Sequence, residues 1–168
     1  DKYAFYADYG LQYLVFPSTL AFSPTTSLYT ENALAVKGVY YAGAKEKYSD
    51  ISEDIYNEYA VNKGLIKFGC NYGQCGETAY WTYDTAEKCL QVFGSGKIEN
   101  APWQEFAAEA EKLLISDGIE YIGDGVFSGF TSVKSLTFGN SVKTIGSGSF
   151  SGCTSLKTVI FDDALEDI

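Results

Sequence analysis

The chain has 168 residues and a net charge of −10, with 22 Asp and Glu against 12 Lys. It contains no His and no Arg, which removes imidazole bases, imidazole metal ligands and guanidinium anion sites from consideration. The acidic charge argues against nucleic acid and anionic lipid as partners, and a hydrophobic fraction of 46% predicts a globular fold with a buried core.

Membrane insertion is not expected from the sequence. No apolar run reaches the roughly 20 residues that cross a bilayer, and no signal peptide is recognisable. Because the chain starts at Asp1 without an initiator Met, we expect a mature, processed or excised piece.

The first predicted element is a repeat between Ala4 and Leu20. Its apolar residues have the spacing of the segment 126–142, at a constant offset of 122 residues. The shared positions are Phe5, Leu11, Leu14 and Phe16, which match Phe127, Val133, Leu136 and Phe138. The proline at position 17 suits a corner after this strand, because its ring fixes φ and it donates no hydrogen bond.

A loop, a strand and a helix are predicted next. Residues 21–35 are rich in Ser, Thr and Pro, which favours an irregular loop. The apolar run VKGVYYAG then predicts a strand. Apolar residues at positions 51, 55 and 59 would share one helical face, so a short helix is expected from Ser52 to Asn62.

The segment 65–96 contains three strand-like runs, LIKFG, TAYWTYD and CLQVFGSG. Alternation in the last two predicts a hairpin that turns near residues 84–88. The run PWQEFAAEAEKLL predicts a short helix with Pro102 in its first turn, because Trp103 and Phe106 then share one side.

From Leu113 to Ile168 the sequence repeats itself every 23 residues. The apolar columns consist of Leu113, Leu136 and Val159; of Ile115, Phe138 and Phe161; and of Ile122, Ile145 and Ile168. A fixed period of this length is typical of a solenoid, in which one coil buries its apolar face only against its neighbours. We therefore expect stacked coils without independent cores.

The segment IGDGVFSGFTSVKSLTFGNSVKTIGSGSFSGCTSLKTVIF resembles the BspA-type leucine-rich repeats of bacterial and protist surface proteins. The family pattern is roughly I-G-x-x-A-F-x-G-C-x-S-L-x-x-V-x-I-P. This chain departs from it with Val126 and Ser149 in place of Ala, and with Gly139 and Asp162 in place of Pro. The resemblance implies a mainly β fold with short helices, built as a leucine-rich-repeat solenoid of 23-residue coils.

The same resemblance divides the chain into three parts. Residues 1–72 would form the end of one repeat array with its terminal cap, because VYYAGAKEKYSDI resembles a closing segment. Residues 73–111 would form a cap or linker made of a β-hairpin and a short helix. Residues 112–168 would form a second array that is incomplete at its C-terminus.

Apparent catalytic motifs in the sequence are better explained by structure. The GDG at 123–125 and the GSG at 146–148 mimic a phosphate loop, but they recur with the period and no Lys-Ser or Lys-Thr follows them. Neighbouring carboxylates have no apolar pocket that would separate their pKa values. Trp81 and Trp103 suit core packing better than sugar stacking. We therefore expect no enzymatic activity and no cofactor, and a carbohydrate ligand is possible but unsupported.

The four cysteines differ in what they predict. Cys153 takes the column position of Phe130 and is expected to be a buried thiol. Cys70 and Cys75, separated by a short turn, form a possible disulfide in an exported chain, while Cys75 with Cys89 is the rival pair. One leftover cysteine prevents a choice between them. A metal site is not expected, because three cysteines at these spacings lack any His.

Residues between the inward-facing positions of the predicted strands point outward and form the candidate protein-binding face. These residues are Tyr13, Val15, Lys112, Leu114, Ser135, Thr137, Thr158 and Ile160. Their mixture of apolar and β-branched types also follows from strand propensity alone, so both interpretations stay open.

The sequence thus predicts a non-enzymatic extracellular or cell-surface module that acts by protein binding, adhesion or assembly. The alternative is an accessory module that spaces, anchors or provides carbohydrate binding to a larger secreted enzyme. Full-length sequence context separates these two, and a glycan array tests the carbohydrate option.

Head-to-tail assembly is suggested by the phase of the two termini. Ile168 has the phase of Ile145, and Asp1 has the phase of Gly123, so EDI read into DKYAFYADYGLQYLVFP completes a repeat. We expect copies of the chain to associate end to end, with a trimmed array or unrelated neighbouring repeats as the alternative. The residues expected to meet are Val159, Phe161, Leu165 and Ile168 of one unit and Phe5, Leu11, Leu14 and Phe16 of the next.

Overall fold

The structure, a computed structural model, describes residues 13–16, 38–42, 66–159, 161 and 163–168. The chain divides into two compact units, Asp1–Cys70 and Asn71–Ile168. Strands provide nearly all the regular structure of the described residues, which confirms the mainly β fold. The helix predicted over 52–62 lies outside the described residues.

The first unit contains a three-stranded parallel sheet in the order β1-β2-β3. Its strands are β1 (Tyr13–Phe16), β2 (Gly38–Tyr41) and β3 (Ile66–Phe68). These strands fall within the first predicted repeat and within the runs VKGVYYAG and LIKFG. Within the described residues β1 is an edge strand, because it pairs with β2 on one side only.

The second unit opens with antiparallel strands and continues with parallel ones in a single sheet of order β10-β8-β6-β5-β4. The five strands are β4 (Asn71–Gln74), β5 (Ala79–Asp84), β6 (Cys89–Gly94), β8 (Lys112–Ile115) and β10 (Ser135–Phe138). The predicted hairpin is present, since β5 and β6 pair antiparallel around a turn at residues 85–88. The side-chain oxygen of Asp84 accepts hydrogen bonds from the Ala86 and Glu87 amides, which stabilises that turn.

A second sheet in this unit has the order β11-β9-β7 and is parallel throughout. Its strands are β7 (Gly96–Ile98), β9 (Ile119–Ile122) and β11 (Thr144–Ile145). An isolated parallel bridge joins Thr144 of β11 to Asp167, so the pairing of this sheet continues into the last coil. Backbone groups at the coil corners bond both to the next coil and within their own coil: the Gly125 amide donates to the Ser147 carbonyl at 3.1 Å, and the Ser128 amide donates to the Gly125 carbonyl at 3.0 Å.

The strand register repeats the sequence period. Leu113 pairs with Leu136 on one side and with Leu90 on the other, so each step between strands equals 23 residues. The first coil therefore begins in the hairpin strand β6, earlier than the sequence repeat between Leu113 and Ile168 indicated. Glycines at the corners carry positive φ, +64° at Gly125 and +63° at Gly148, where a side chain would be strained.

The helix predicted after Pro102 is a single 3-10 turn, Gln104–Phe106. The amides of Glu111 and Lys112 both donate to the carbonyl of Lys88, at 2.9 and 3.2 Å, and this draws the chain back to the sheet. Helix-like bonds continue for a few residues beyond this turn, because the amides of Glu109 and Ala110 both donate to the carbonyl of Phe106, at 3.0 and 2.9 Å.

The core of the second unit lies between its sheets and the corner segments. Three aromatic rings stack along it, with centroids 5.1 Å apart for Trp103 and Phe127 and 5.3 Å apart for Phe127 and Phe150. The ring nitrogen of Trp103 donates to the carbonyl of Val126 at 2.9 Å, so this buried polar group is satisfied.

The last coil lacks one expected strand. Sequence alignment with β10 predicts a strand at residues 158–161, but residues 156–159 have no strand in the structure. The aromatic contact between coils is nevertheless present, because the ring centroids of Phe161 and Phe138 are 5.3 Å apart.

Candidate protein-binding surface

Side chains of the parallel strands alternate between an inner and an outer face of the five-stranded sheet. The inner residues of β8 and β10 include Leu113, Ile115 and Leu136, which are buried. The outer residues are Lys112, Ser135 and Thr137, which are exposed, and Leu114, which is half-buried. Four of the predicted site residues therefore share one face.

Strand register brings these four residues into two rows. Lys112 lies opposite Ser135, and Leu114 lies opposite Thr137. Directly paired residues on one face have Cβ atoms about 5 Å apart, so the two rows form one continuous surface. We call Lys112, Leu114, Ser135 and Thr137 the sheet strip.

The hairpin strand β6 extends the sheet strip, which the sequence reading missed. Cys89 lies opposite Lys112, and Gln91 lies opposite Leu114. The amide nitrogen of Gln91 donates to the hydroxyl of Ser116 at 3.1 Å. The 23-residue period could have indicated this extension, because Leu90 precedes Leu113 by one full period.

The remaining predicted site residues are not brought to the sheet strip by the described structure. Thr158 is exposed but belongs to no strand, and Ile160 lies outside the described residues. Tyr13 and Val15 lie on β1 of the first unit, and their side chains are outside the described part of the chain.

Charged side chains one period apart run beside the sheet strip. The carboxylate of Glu111 accepts hydrogen bonds from the amine of Lys88 at 2.9 Å and from the amine of Lys134 at 2.6 Å. Lys112 forms a third ion pair with Glu87 at 2.9 Å. Hydrogen bonds from Lys134, which has the larger effect, and from Lys88 lower the pKa of Glu111 to about 2. This carboxylate is therefore charged at neutral pH.

Two exposed tyrosines widen the outer face toward the hairpin. Tyr72 and Tyr80 are exposed, and register places Tyr72 opposite Thr82 of β5. The ring of Tyr80 stacks on Phe93 with centroids 6.3 Å apart. By contrast Trp81 and Trp103 are buried, so they pack in the core as expected and offer no ring to a ligand.

The predicted assembly residues near the C-terminus differ in exposure. Val159 and Leu165 are half-buried, Phe161 is 41% exposed and Ile168 is 79% exposed. Phe16 is buried in the first unit. The side chains of Phe5, Leu11 and Leu14 lie outside the described residues.

The four cysteines differ in exposure: Cys70 and Cys75 are buried, whereas Cys89 and Cys153 are half-buried. Burial raises the pKa of Cys75 to about 12, which keeps it protonated and unreactive as a nucleophile. Burial also raises the pKa of Cys153, in agreement with its place in the Phe130 column. The disulfide pairing stays a prediction, which intact mass with and without reductant tests.

The described residues contain neither a metal-binding cluster nor a helix that could cross a membrane. No cluster of three or more Cys, Asp or Glu side chains there could hold a metal ion. In the same part of the chain, no helix has the length and apolarity needed to cross a bilayer.

The fold of part of this chain is similar to that of a known protein. A crystal structure of a leucine-rich repeat protein from Eubacterium ventriosum ATCC 27560 superposes with a TM-score of 0.54 at 18% identity. The match covers 58% of this chain and 27% of that one, so the chain spans about a quarter of its neighbour. At this identity the likeness shows the fold, which is of the leucine-rich-repeat class. No curated protein matches.

Residues 97–168 match the family model described as BspA type Leucine rich repeat region (6 copies). The match starts at the strand β7, before the segment in which the sequence repeat is visible by eye. The match is limited to residues 97–168, and for these residues the resemblance to BspA-type leucine-rich repeats drawn from the sequence is confirmed.

Proposed function

We propose that this chain is a non-enzymatic leucine-rich-repeat module that binds protein through the outer face of its sheet. The observation that carries this proposal is the sheet strip, where in-register strands expose Lys112, Ser135 and Thr137 beside the half-buried Leu114. An open strand surface of one apolar, one charged and two short polar side chains suits a protein partner better than a small molecule.

The charge of the module restricts that partner. With a net charge of −10 and no Arg, the chain repels polyanions, so a neutral or basic protein surface fits best. The exposed Tyr72 and Tyr80 on the same sheet supply ring area of the type enriched at binding interfaces.

We further propose that the module works outside the cell or at its surface, as the resemblance to BspA-type surface proteins implies. In this proposal the repeats form a solenoid, which is a stack of 23-residue coils. The accessory role in a larger secreted enzyme remains the alternative, and a catalytic domain encoded beside these residues would favour it. Protease shaving of intact source cells tests the location, because a cytoplasmic module would survive it.

Site-specific photo-crosslinking tests the binding face. A crosslinker at Thr137 should capture a partner from surface extract, and one at the exposed corner residue Thr131 should not. The partner, once purified, should bind the Leu114→Glu variant at least tenfold more weakly. Equal capture at both positions, or an unchanged affinity of Leu114→Glu, would overturn the proposal.

Assembly with further repeats is a second candidate function, and the exposure of the large apolar Phe161 in the last described coil supports it. Large apolar side chains at the end of a repeat stack are the positions that a further coil covers. Binding on the sheet strip and assembly at the end use different residues, so the two functions are compatible.

A further inference from the structure

Two tyrosines are exposed on the antiparallel part of the five-stranded sheet, away from the sheet strip. Among the described residues, the exposed large apolar side chains are those of Tyr72, Tyr80, Phe161 and Ile168. The last two lie in the last coil, whereas Tyr72, 41% exposed, and Tyr80, 43% exposed, lie on β4 and β5. Strand β6 separates β5 from β8, so the tyrosines and the sheet strip occupy different parts of one sheet.

Strand register places both tyrosine rings on the same face. Trp81 points into the core, so its neighbour Tyr80 points outward. Gly73 lies opposite Trp81, which places Tyr72 on the outer face as well. Because Tyr80 lies opposite Gln74, two residues from Tyr72, the two tyrosines are diagonal neighbours. Such neighbours are about 7–8 Å apart, a spacing that aromatic side chains can bridge.

The strands that carry the two rings are fixed by packing on both sides. A Cβ atom added to Gly73 would lie 2.8 Å from the ring nitrogen of Trp81, so that indole packs directly against the inner side of β4. On the outer side, the ring of Tyr80 stacks on the buried ring of Phe93 with centroids 6.3 Å apart. A surface that is already ordered loses little conformational entropy when a ligand binds.

The side chains around the rings are polar and uncharged. The amide nitrogen of Gln74 donates to the carbonyl of Glu77 at 2.9 Å, so its amide oxygen is an acceptor beside Tyr80. The outer residues of this part of the sheet, Tyr72, Gln74, Tyr80 and Thr82, carry no charge, although the chain has a net charge of −10. We call Tyr72, Gln74 and Tyr80 the tyrosine platform.

The size and chemistry of the tyrosine platform suit a sugar chain better than a protein. Each partner of a stable protein interface buries about 800 Å², which two partly exposed rings and one amide do not supply. An aromatic ring packs well on the C–H face of a pyranose, while phenol and amide groups bond to its hydroxyls. Two diagonal rings can contact two residues of one chain. Because the protein is acidic and repels anions, the sugar chain is expected to be neutral.

We propose that the tyrosine platform binds a neutral polysaccharide of flat pyranose residues, of the β-linked glucan, xylan or chitin type. Tyr72 and Tyr80 stack on sugar residues of one chain, and the amide oxygen of Gln74 accepts a hydrogen bond from a sugar hydroxyl. This site goes beyond the proposed protein-binding function, because it uses other strands and another class of ligand.

Native gel electrophoresis of the whole chain through soluble polysaccharide tests the proposal, because a chain of charge −10 migrates readily and is slowed when it binds. The probes are hydroxyethyl cellulose, arabinoxylan and glycol chitin, and at least one of them should retard the chain. Carboxymethyl cellulose, which has negative charges on a cellulose backbone, should retard it less than the neutral probe that binds.

Variants of the two tyrosines locate the site. Tyr72→Ala and Tyr80→Ala should each weaken binding about tenfold, because each removes one ring, whereas the Phe variants keep the rings and should still bind. Tyr121→Ala is the matched control, since Tyr121 lies on β9 of the other sheet, with the amine of Lys97 5.6 Å from its ring centroid. Thermal melts check each fold, and Gln74→Ala replaces Tyr80→Ala if that variant unfolds.

Three results would overturn the proposal: no retardation by any neutral probe, equal retardation by carboxymethyl cellulose, or full binding by both alanine variants. If these variants lose a protein partner and the wild type binds no polysaccharide, the two rings belong to the protein-binding surface instead. Leu114→Glu, on the sheet strip, should still bind polysaccharide. A loss of polysaccharide binding in that variant would overturn the separation of the two sites.

Discussion

The inner and last coils of the second unit contain equivalent residues in different surroundings. Phe127 is fully buried between the rings of Trp103 and Phe150, whereas Phe150 has a ring stacked on one side and is half-buried. The residue type and the phase are the same, so the difference comes from the surroundings: Phe127 has a ring on both faces and an edge contact with Phe130, where the next coil has Cys153. In a repeat fold, stability resides in interfaces between coils rather than in any one coil.

Truncation of the buried ring should show the largest contrast between coils. Phe127→Ala should cost roughly 3–5 kcal/mol of unfolding free energy, the usual range for a buried aromatic ring. Phe161→Ala, at 41% exposure, should cost about 1 kcal/mol or less. Both tryptophans lie in the second unit, so urea denaturation followed by their fluorescence reports on that unit. Equal losses would show that burial is uniform along the stack.

The two tryptophans allow a matched test of one hydrogen bond. Trp103 donates to the Val126 carbonyl, while the ring nitrogen of Trp81 has no partner among the described residues. Trp103→Phe should therefore lose about 1–3 kcal/mol more than Trp81→Phe, because it leaves a buried carbonyl unpaired. Chemical denaturation followed by circular dichroism measures both variants. A larger loss for Trp81→Phe would contradict the assignment.

Local signals in the sequence predicted much of this fold. The runs VKGVYYAG, LIKFG and TAYWTYD all contain strands, and the hairpin turn falls at the predicted residues. Alternation and turn residues are local, so they can be read directly. The helix after Pro102 is shorter than the sequence predicts. The amides of Glu111 and Lys112 bond to the carbonyl of Lys88, and no local pattern reveals such a contact between distant residues.

The repeat boundary was also only partly predictable. Leu90 and Val92 stand one period before Leu113 and Ile115 and pair with them in the sheet. The hairpin signal in the same strand hid this relation, because β6 serves both the hairpin and the stack. Placement of the sheet strip followed from alternation, whereas the burial of individual outer residues depends on neighbours that no local pattern reveals.

Acid should weaken the ion pairs between coils, and the resulting loss of stability should be smaller than that of the core substitutions. The pKa of Glu111 is depressed to about 2 by Lys134 and Lys88, so its stabilisation is present above the unfolded pKa, near 4.3, and is lost as pH falls toward 2. Glu111→Gln should flatten the fall in melting temperature between pH 4.5 and about 2. Glu120→Gln, which removes a carboxylate paired with Lys143 alone, is the control and should flatten it less.

The smallest effect is expected on the sheet strip itself. Thr137 is exposed on the outer face of β10, so Thr137→Lys should change the unfolding free energy by only about 0.5 kcal/mol or less. Its neighbour Leu136 points into the core, where Leu136→Lys would bury a charge and unfold the second unit. Thermal melts of the two variants compare adjacent residues on one strand. If Thr137→Lys were the damaging change, the inner and outer faces would be reversed. A stable Thr137→Lys that loses its protein partner would then place the binding surface on exposed side chains that the fold does not need.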